Sequence, residues 1–119
     1  MDNLFRVVSA ADLASAIASG FVPRCPSDER NNCVHLNVRC DVETVASLYF
    51  TLEEAPVALE IRRSDIEDDL TFAPSVAGKP FSQVTLARPN VLLSSVVALH
   101  PLKVVVSDNL PTFKFTAGA

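Results

Sequence analysis

The fold is decided first by residues 4–20, LFRVVSAADLASAIASG. The opening LFRVV is rich in β-branched and aromatic residues, which fit a pleated surface, and it predicts a strand. Ser9 then begins a helix, because its hydroxyl can accept a hydrogen bond from an amide of the first turn and Asp12 can reach back. Small and apolar residues recur at helical spacing until Gly20, which supplies a left-handed end. This stretch therefore predicts a strand, a tight turn and a helix.

The rest of the chain predicts a second helix and further short strands. Residues 21–32 turn polar and irregular, which is typical of a loop. Asp41 is expected to cap the second helix. The predicted fold class is α+β, with two helices of the N-terminal half packed on a small split antiparallel or mixed β-sheet, in one domain of residues 1–119. The further strand segments lie at residues 33–37, 57–61, 70–72, 81–87, 95–100, 104–106 and 113–115.

Charge and hydropathy exclude several classes of partner. The formal net charge is −4, and the basic pair Arg62-Arg63 is followed at once by acidic residues. Because nucleic-acid affinity comes largely from neutralised phosphates, non-specific nucleic-acid binding is not expected. The start of the chain lacks the basic and apolar regions of a signal peptide. The longest apolar stretch, residues 91–106, is interrupted by polar residues and falls short of the ~20 that span a bilayer. We expect a cytoplasmic protein with no membrane role.

The three cysteines, Cys25, Cys33 and Cys40, are predicted to be reduced thiols. Together with His35 they offer enough soft ligands for zinc, but structural zinc sites present closely paired cysteines. The gaps here are seven and six residues, so we interpret the thiols as small apolar side chains and expect no metal site. A nucleophile–base pair of Cys33 and His35 is the alternative, although no orienting acid is identifiable from the sequence.

His35 is the strongest single candidate for a functional side chain. A polar residue that leaves a long loop and enters a strand often lines a cleft, whereas the alternative is a histidine hydrogen-bonded at a sheet edge. His100 precedes a proline at the end of an apolar strand and is interpreted as structural. The acidic run at residues 65–69 lacks the spacing and glycine of a calcium-binding loop. No glycine-rich phosphate-binding motif occurs, and no cofactor is predicted.

Four segments occur in the same order as the motifs of a known family: LFRV at residues 4–7, CVHLN at 33–37, the aromatic pair at 49–50 and VALEI at 57–61. The order resembles domain-of-unknown-function family 952. Its members open with an Ile-Tyr-Lys-Ile strand and an alanine-rich helix, and continue with a Phe-Ile-His-Leu-Ser type of motif, a helix with an aromatic end and an apolar strand. The resemblance covers residues 4 to about 102 and leaves residues 103–119 as a C-terminal extension.

Several motif residues of that family are replaced in this chain. The motif serine is Asn37, and a Trp-Glu pair falls on Phe72-Ala73, which removes the carboxylate. A Phe-Pro-His-Leu-Tyr motif falls on residues 81–85, FSQVT, which removes a second histidine and a tyrosine. Of the usual polar cluster, His35 remains.

The resemblance implies a fold and a site. The family is grouped distantly with the ADP-ribosyltransferase-like fold, in which NAD or a related nucleotide lies in a cleft between two small sheets. By that similarity His35 would be the catalytic or ligand-holding residue, with Asn37 beside it and Gln83 and Arg88 on the opposite wall. Catalytic assistance by a carboxylate is typically worth about 10²–10⁴ in rate. Its loss favours a non-catalytic or degraded member that binds a small polar or nucleotide-like ligand.

Two alternatives stay open. An active transferase on an NAD-like or RNA 2′-phosphate substrate would draw its acid from Glu60 or from residues 65–69. A protein-interaction module would use the edge formed by residues 91–106 to add a strand from a partner. The sequence decides neither whether the chain is an enzyme nor its oligomeric state.

Overall fold

The structure, a computed structural model, describes residues 2–116 and confirms an α+β fold. Within those residues there are three α-helices: α1 (Ala10–Ser19), α2 (Pro26–Asn31) and α3 (Val42–Tyr49). The same region holds ten strands: β1 (Leu4–Val8), β2 (Phe21–Val22), β3 (Val34–Leu36), β4 (Val57–Ile61), β5 (Leu70–Ala73), β6 (Gln83–Leu86), β7 (Val91–Leu92), β8 (Val96–Pro101), β9 (Lys103–Ser107) and β10 (Leu110–Lys114).

The strand, turn and helix predicted from residues 4–20 are present. Ser9 is the N-cap of α1, and its hydroxyl oxygen accepts a hydrogen bond from the backbone N–H of Asp12 at 3.1 Å. This bond satisfies one of the amides that a helix start leaves without a partner. Gly20 ends α1 at a φ of 87°, a left-handed conformation that a residue without a Cβ adopts freely. The helix packs back against β1.

The central sheet has the order β1-β4-β8, and both of its strand pairs are antiparallel. Alternate residues of a strand point to opposite faces, and here both faces are covered. One face packs into a cluster around Leu4 and Leu59, and the other into a cluster around Phe5 and Ala58. All five residues of β1 are buried. Because Arg6 is among them, its charge needs a partner inside the protein.

A second three-stranded sheet, of order β3-β6-β5, separates apolar from polar residues. Its inner face carries the core residues Val34, Leu36, Val84 and Leu86. Between them, His35 lies opposite Thr85 and points to the other face. Asn37 follows directly after β3 and Gln83 begins β6, so both continue the row that starts at His35. This sheet therefore gathers the polar residues that the sequence singled out.

The remaining strands form two small antiparallel pairs, β2 with β7 and β9 with β10. The β9–β10 hairpin leans on α3. Phe113 of β10 is 2% exposed, and its backbone N–H donates to the hydroxyl oxygen of Ser47 at 3.0 Å. The amide two residues along, that of Phe115, donates to the carboxylate of Glu43 at 2.8 Å. The C-terminal hairpin is thus fastened to α3 along one strand.

The loop predicted for residues 21–32 is wrong, because this stretch contains β2 and α2. Pro26 occupies the first position of α2, where a missing N–H and a fixed φ are tolerated. The Asp28 side chain reaches back to the backbone N–H of Cys25 at 3.0 Å, and Asn32 ends the helix at a φ of 50°. A helix of six residues has no room for an apolar stripe, so hydrophobic periodicity does not reveal it.

The helices of the described region are short, and none of them is long and apolar enough to cross a membrane.

Asp41 occupies the predicted N-cap position of α3, but its side chain makes no capping hydrogen bond there. Its carboxylate instead accepts from the backbone N–H of Ser82 at 2.9 Å, which ties the start of α3 to the segment before β6.

Candidate functional site

A cavity of ≈ 620 Å³ opens over the polar face of the β3-β6-β5 sheet. Its walls come from β1, the start of α2, β3, the end of α3 and the segment that leads into β6. Small-molecule sites usually have volumes of about 300–1,000 Å³. We call it the His35 cavity. His35, Asn37 and Gln83 all line it, whereas Arg88 is not among its lining residues.

A buried carboxylate, that of Asp28, holds this wall together. Asp28 is 0% exposed and its two oxygens accept from five donors. Arg6 donates from both terminal nitrogens, at 2.6 and 3.4 Å. The backbone N–H groups of Cys25 and His35 donate at 3.0 and 2.9 Å, and the His35 ring adds Nδ1 at 2.8 Å. One side chain thereby joins α2 to β1 and β3.

Asp28 stays ionised far below neutral pH. Burial on its own raises the pKa of this carboxyl, since a charge loses solvation inside a protein. The Arg6 charge and the hydrogen bonds from Cys25, His35 and Arg6 outweigh burial, and they lower the pKa from 3.8 to about 2. Arg6 is 8% exposed, so the two opposite charges form a buried pair, and each compensates the desolvation of the other.

The same carboxylate fixes the orientation of the His35 ring. Because an ionised carboxylate can only accept, the 2.8 Å contact assigns a proton to Nδ1. In the neutral ring Nε2 is then the acceptor, and it lies 3.3 Å from the amide nitrogen of Asn31. Arg6 also donates to the His35 backbone carbonyl at 2.7 Å. With its side chain 27% exposed, His35 is held from behind and reachable from the cavity.

Asn37 lies beside His35 with its side-chain amide unused. Its backbone is fully engaged, because its N–H and C=O each pair with Phe5 at 2.8 Å. The residue is 9% exposed, yet its amide has no hydrogen-bond partner within residues 2–116. Gln83 donates from its amide nitrogen to the Phe81 carbonyl at 3.3 Å, which leaves its amide oxygen as an acceptor. The cavity floor therefore offers donors and acceptors that the fold does not consume.

Aromatic and charged side chains surround this floor. Tyr49 and Phe81 meet edge to face, with ring centroids 6.1 Å apart. The lining also includes two further cations, Arg30 and Lys79, and the carboxylates Asp12 and Glu54. The cavity therefore offers an aromatic surface against which a planar ring of a ligand could pack, and side chains of both charges that could pair with an ionic group of the ligand.

Arg88 and the two suggested sources of a replacement acid, Glu60 and residues 65–69, lie outside the cavity lining. Arg88 donates from Nε to the Asp69 carboxylate at 2.6 Å, and the predicted ligand contact of Arg88 stays a prediction. Glu60 accepts from Asn3 and from the His100 ring, both at 2.8 Å. The hydrogen bond from Asn3, followed by that from His100, lowers the pKa of Glu60.

The cysteines give no support to a thiol nucleophile beside His35. Cys25 lines the cavity, but Cys33 does not. Burial, together with the negative charge of Asp28, raises the pKa of the Cys33 thiol, which disfavours the reactive thiolate. Cys40 is exposed, and all three thiols are free. Within residues 2–116 no cluster of three or more His, Cys, Asp or Glu side chains is placed to hold a metal ion.

The fold has been seen in a bacterial protein. The crystal structure of protein CC0527 from Caulobacter crescentus, a structural-genomics target, matches with a TM-score of 0.74 at 20% identity over 92% of each chain. Its solution NMR structure matches with a TM-score of 0.69 at 22% identity, over 93% of this chain and 91% of that one. No family model and no curated protein matches the sequence. At this identity the similarity concerns the fold, and the resemblance to family 952 stays a prediction.

Sequence reasoning missed the central residue of the site, Asp28, and its partner Arg6. The local signal was weak but present, since Cys25-Pro26-Ser27-Asp28 places an acid at the third position of a helix that begins with proline. The contact from Asp28 to Arg6 spans 22 residues and depends on the tertiary fold. No periodicity within either segment encodes it.

Proposed function

We propose that this chain binds a small polar, nucleotide-like ligand in the His35 cavity and has no catalytic activity of its own, as a degraded member of the family it resembles. His35, Asn37 and Gln83 would make the polar contacts. A ligand contact from Arg88 would require its side chain to leave Asp69. The residue types fit recognition, because amide side chains both donate and accept hydrogen bonds.

The observation that carries the proposal is the unused amide of Asn37. Asn37 lies on the cavity floor, and its amide has no partner in the described part of the chain. The amide atoms are not among the buried unpartnered atoms of that part, so they are open to the cavity, where water or a ligand can bond to them. A ligand that supplied an acceptor and a donor there would satisfy it.

The rest of the cavity fits a ligand with both a ring and a polar end. Tyr49 and Phe81 provide aromatic surface at one side, and Arg30 and Lys79 can meet an anionic group. Within the lining these two cations are balanced by Asp12 and Glu54. The site therefore favours a mixed polar molecule over a bare polyanion.

A second candidate, an active transferase on an NAD-like or RNA 2′-phosphate substrate, is favoured by one specific feature. The carboxylate of Asp28 orients His35 through a 2.8 Å contact to Nδ1, which is how a catalytic histidine is commonly held so that Nε2 can exchange a proton. Against it stands the loss of the family's acidic motif at Phe72-Ala73. The binding proposal needs no additional catalytic group, and we prefer it for that reason.

An NMR titration of ¹⁵N-labelled protein tests both candidates. NAD, ADP-ribose and a short RNA with a 2′-phosphate are added separately, and the amide shifts of residues 33–38 and 81–85 are followed. We expect at least one ligand to shift the amides of both segments. His35→Ala and Asn37→Leu should each lower the affinity for that ligand at least about tenfold, which corresponds to the loss of one good hydrogen bond or more. Arg62→Ala is the matched control, because this arginine lies outside the cavity lining and pairs with Asp65, and the variant should bind the ligand as the parent does.

The outcomes of the titration separate the two candidates from each other and from neither. No amide shift at millimolar ligand would contradict both, because both require a nucleotide-like ligand in the cavity. Shifts without chemical change of the ligand after a day would support a binding module. Turnover that is lost in His35→Ala and in Asp28→Asn would establish the transferase instead.

A further inference from the structure

The β9–β10 hairpin has one covered edge and one open edge. The backbone N–H groups of Phe113 in β10 and of Phe115 just after it point away from β9 and donate to Ser47 and Glu43 of α3. Side chains of α3 therefore satisfy the outer edge of β10. β9 has no such cover. Within residues 2–116 it pairs with β10 alone, and all five of its residues are exposed.

The register shows which backbone groups of β9 are open. In an antiparallel pair, residues alternate between those that exchange ladder hydrogen bonds and those whose N–H and C=O point outward. The backbone N–H of Phe113 points away from β9, and Phe113 lies opposite Val104. The backbone N–H and C=O groups of Val104, and of Val106 two residues along, therefore point away from β10. The two-residue turn agrees with this register. Asp108 and Asn109 both have positive φ, at 52° and 64°, as in a type I′ turn closed by a bonded pair.

The open edge lacks the usual protection against strand addition. Natural edge strands are blunted by inward charges, prolines, bulges or very short length. β9 reads KVVVS, with three consecutive valines and its one charge at the first position. Val104 and Val106 are 45% and 65% exposed. An exposed strand whose only charge is at its first residue, and whose outer backbone groups are open, is a template for another strand.

We propose that β9 pairs with β9 of a second copy of this chain, antiparallel about a twofold axis at Val105, to give a continuous four-stranded sheet β10-β9-β9′-β10′. In this register Val104 lies opposite Val106 of the other copy, so the two outward-pointing residues of each strand bond to each other. The valines of both copies then cover one another. A twofold contact must be complementary to itself, and this strand meets that condition.

The charges at the ends of β9 favour the same partner. Lys103 begins the strand and Asp108 follows it in the turn. Antiparallel self-pairing about Val105 places Lys103 opposite Ser107 of the other copy and next to its Asp108. Each end of the contact between the copies therefore brings opposite charges together, and no like charges lie opposite each other across that contact. A parallel arrangement would instead place Lys103 beside Lys103.

Disulfide trapping tests the register. In the proposed dimer the two Val105 residues form a non-bonded antiparallel pair, with Cα atoms about 4.5 Å apart, within the range that a disulfide spans. Two copies of Ser107 lie more than ~13 Å apart, which no disulfide can span. Under mild oxidation, Val105→Cys should give a covalent dimer, whereas Ser107→Cys and the parent chain with its three native thiols should not. Equal cross-linking of all three, or none for Val105→Cys, would overturn the proposal.

Sedimentation velocity under reducing conditions tests the dimer itself. The parent chain should show a monomer–dimer equilibrium, weak because a four-stranded edge contact lies near the lower limit of specific interfaces, and concentrations up to about 500 µM are therefore needed. Val105→Lys should raise the dissociation constant at least about tenfold, because it places two lysines at the axis. Thr112→Lys, on the same face but one strand farther from the axis, is the matched control and should change it less than about threefold. A parent chain that stays monomeric throughout would refute self-pairing and leave the edge to a strand from another protein.

Discussion

Replacement of Asp28 by asparagine should strongly destabilise the fold while preserving its shape. The new amide would present an NH₂ group to donors on at least one side: Oδ2 of Asp28 faces Arg6 and the Cys25 amide, and Oδ1 faces the His35 amide and ring. The change would also leave Arg6 buried without its counter-charge. Breaking a buried pair in this way costs about 3–5 kcal/mol. Since whole domains are stable by about 5–15 kcal/mol, Asp28→Asn should unfold at a much lower urea concentration.

The pH dependence of that loss follows from the lowered pKa of Asp28. Because folding lowers this pKa from 3.8 to about 2, the unfolded chain takes up the proton at a higher pH than the folded one. The carboxylate therefore adds about 2 kcal/mol of stability that is complete above roughly pH 5 and is lost as the pH falls towards 2. Near pH 3 roughly half of it should remain. The amide of the variant does not titrate, so the gap in unfolding free energy between parent and variant should narrow by about 1 kcal/mol between pH 7 and pH 3.

Urea unfolding measures the difference in unfolding free energy between the parent and Asp28→Asn. Far-UV circular dichroism is the suitable signal, because the chain has no tryptophan and a single tyrosine to report by fluorescence. Glu29→Gln is the matched control. It removes a carboxylate from the neighbouring residue of α2, but that side chain is 66% exposed, so the cost should stay below about 0.5 kcal/mol. The reasoning is refuted if Asp28→Asn costs less than about 1 kcal/mol at pH 7, or if the gap is the same at pH 7 and pH 3.

Three further changes test separate parts of the structure by the same unfolding measurement. Asn37→Leu should leave stability unchanged or raise it by up to about 1 kcal/mol, because the amide bonds to nothing in the described part of the fold; a clear loss would reveal a structural partner. Ser9→Ala should cost about 1 kcal/mol through the lost cap of α1, and Ser9→Thr should restore most of it. Gly20→Ala should cost about 1 kcal/mol, since a Cβ would have open space but an unfavourable φ; no loss would mean that the backbone relaxes there.

Much of the fold follows from local signals. Residues 4–20 carry a strand pattern, a capping serine and a terminal glycine in succession, and the structure uses each of them. Strand segments at 57–61, 70–72 and 104–106 could be predicted because β-branched and apolar residues cluster there. The helix α2 could not, since six residues cannot display a helical stripe.

The site was predictable only in part. His35, Asn37 and Gln83 line one cavity because the pairing of β3 with β6 brings residues 35–37 opposite 83–85, and the resemblance in the order of segments suggested as much. Arg6 could not be assigned from sequence. Within LFRVV an arginine is typical of the solvent-facing position of an alternating strand, whereas in the fold both faces of β1 are covered. Only the long-range contact to Asp28 explains how it is tolerated there.

The polar groups of this region divide into those that the fold consumes and those that it leaves over. Asp28 uses both of its oxygens, and Arg6 uses both terminal nitrogens, to join β1, α2 and β3. These bonds stabilise the cavity wall, and none of them needs a ligand. Asn37 contributes nothing to that network, because its amide is open to the cavity and has no partner in the described part of the fold. Under the proposed function, this amide and the ring of His35, which Asp28 orients, would contact the ligand. Asp28→Asn and Asn37→Leu should therefore respond in opposite ways. The first should lower the stability of the fold, and the second should weaken ligand binding while leaving that stability unchanged or higher.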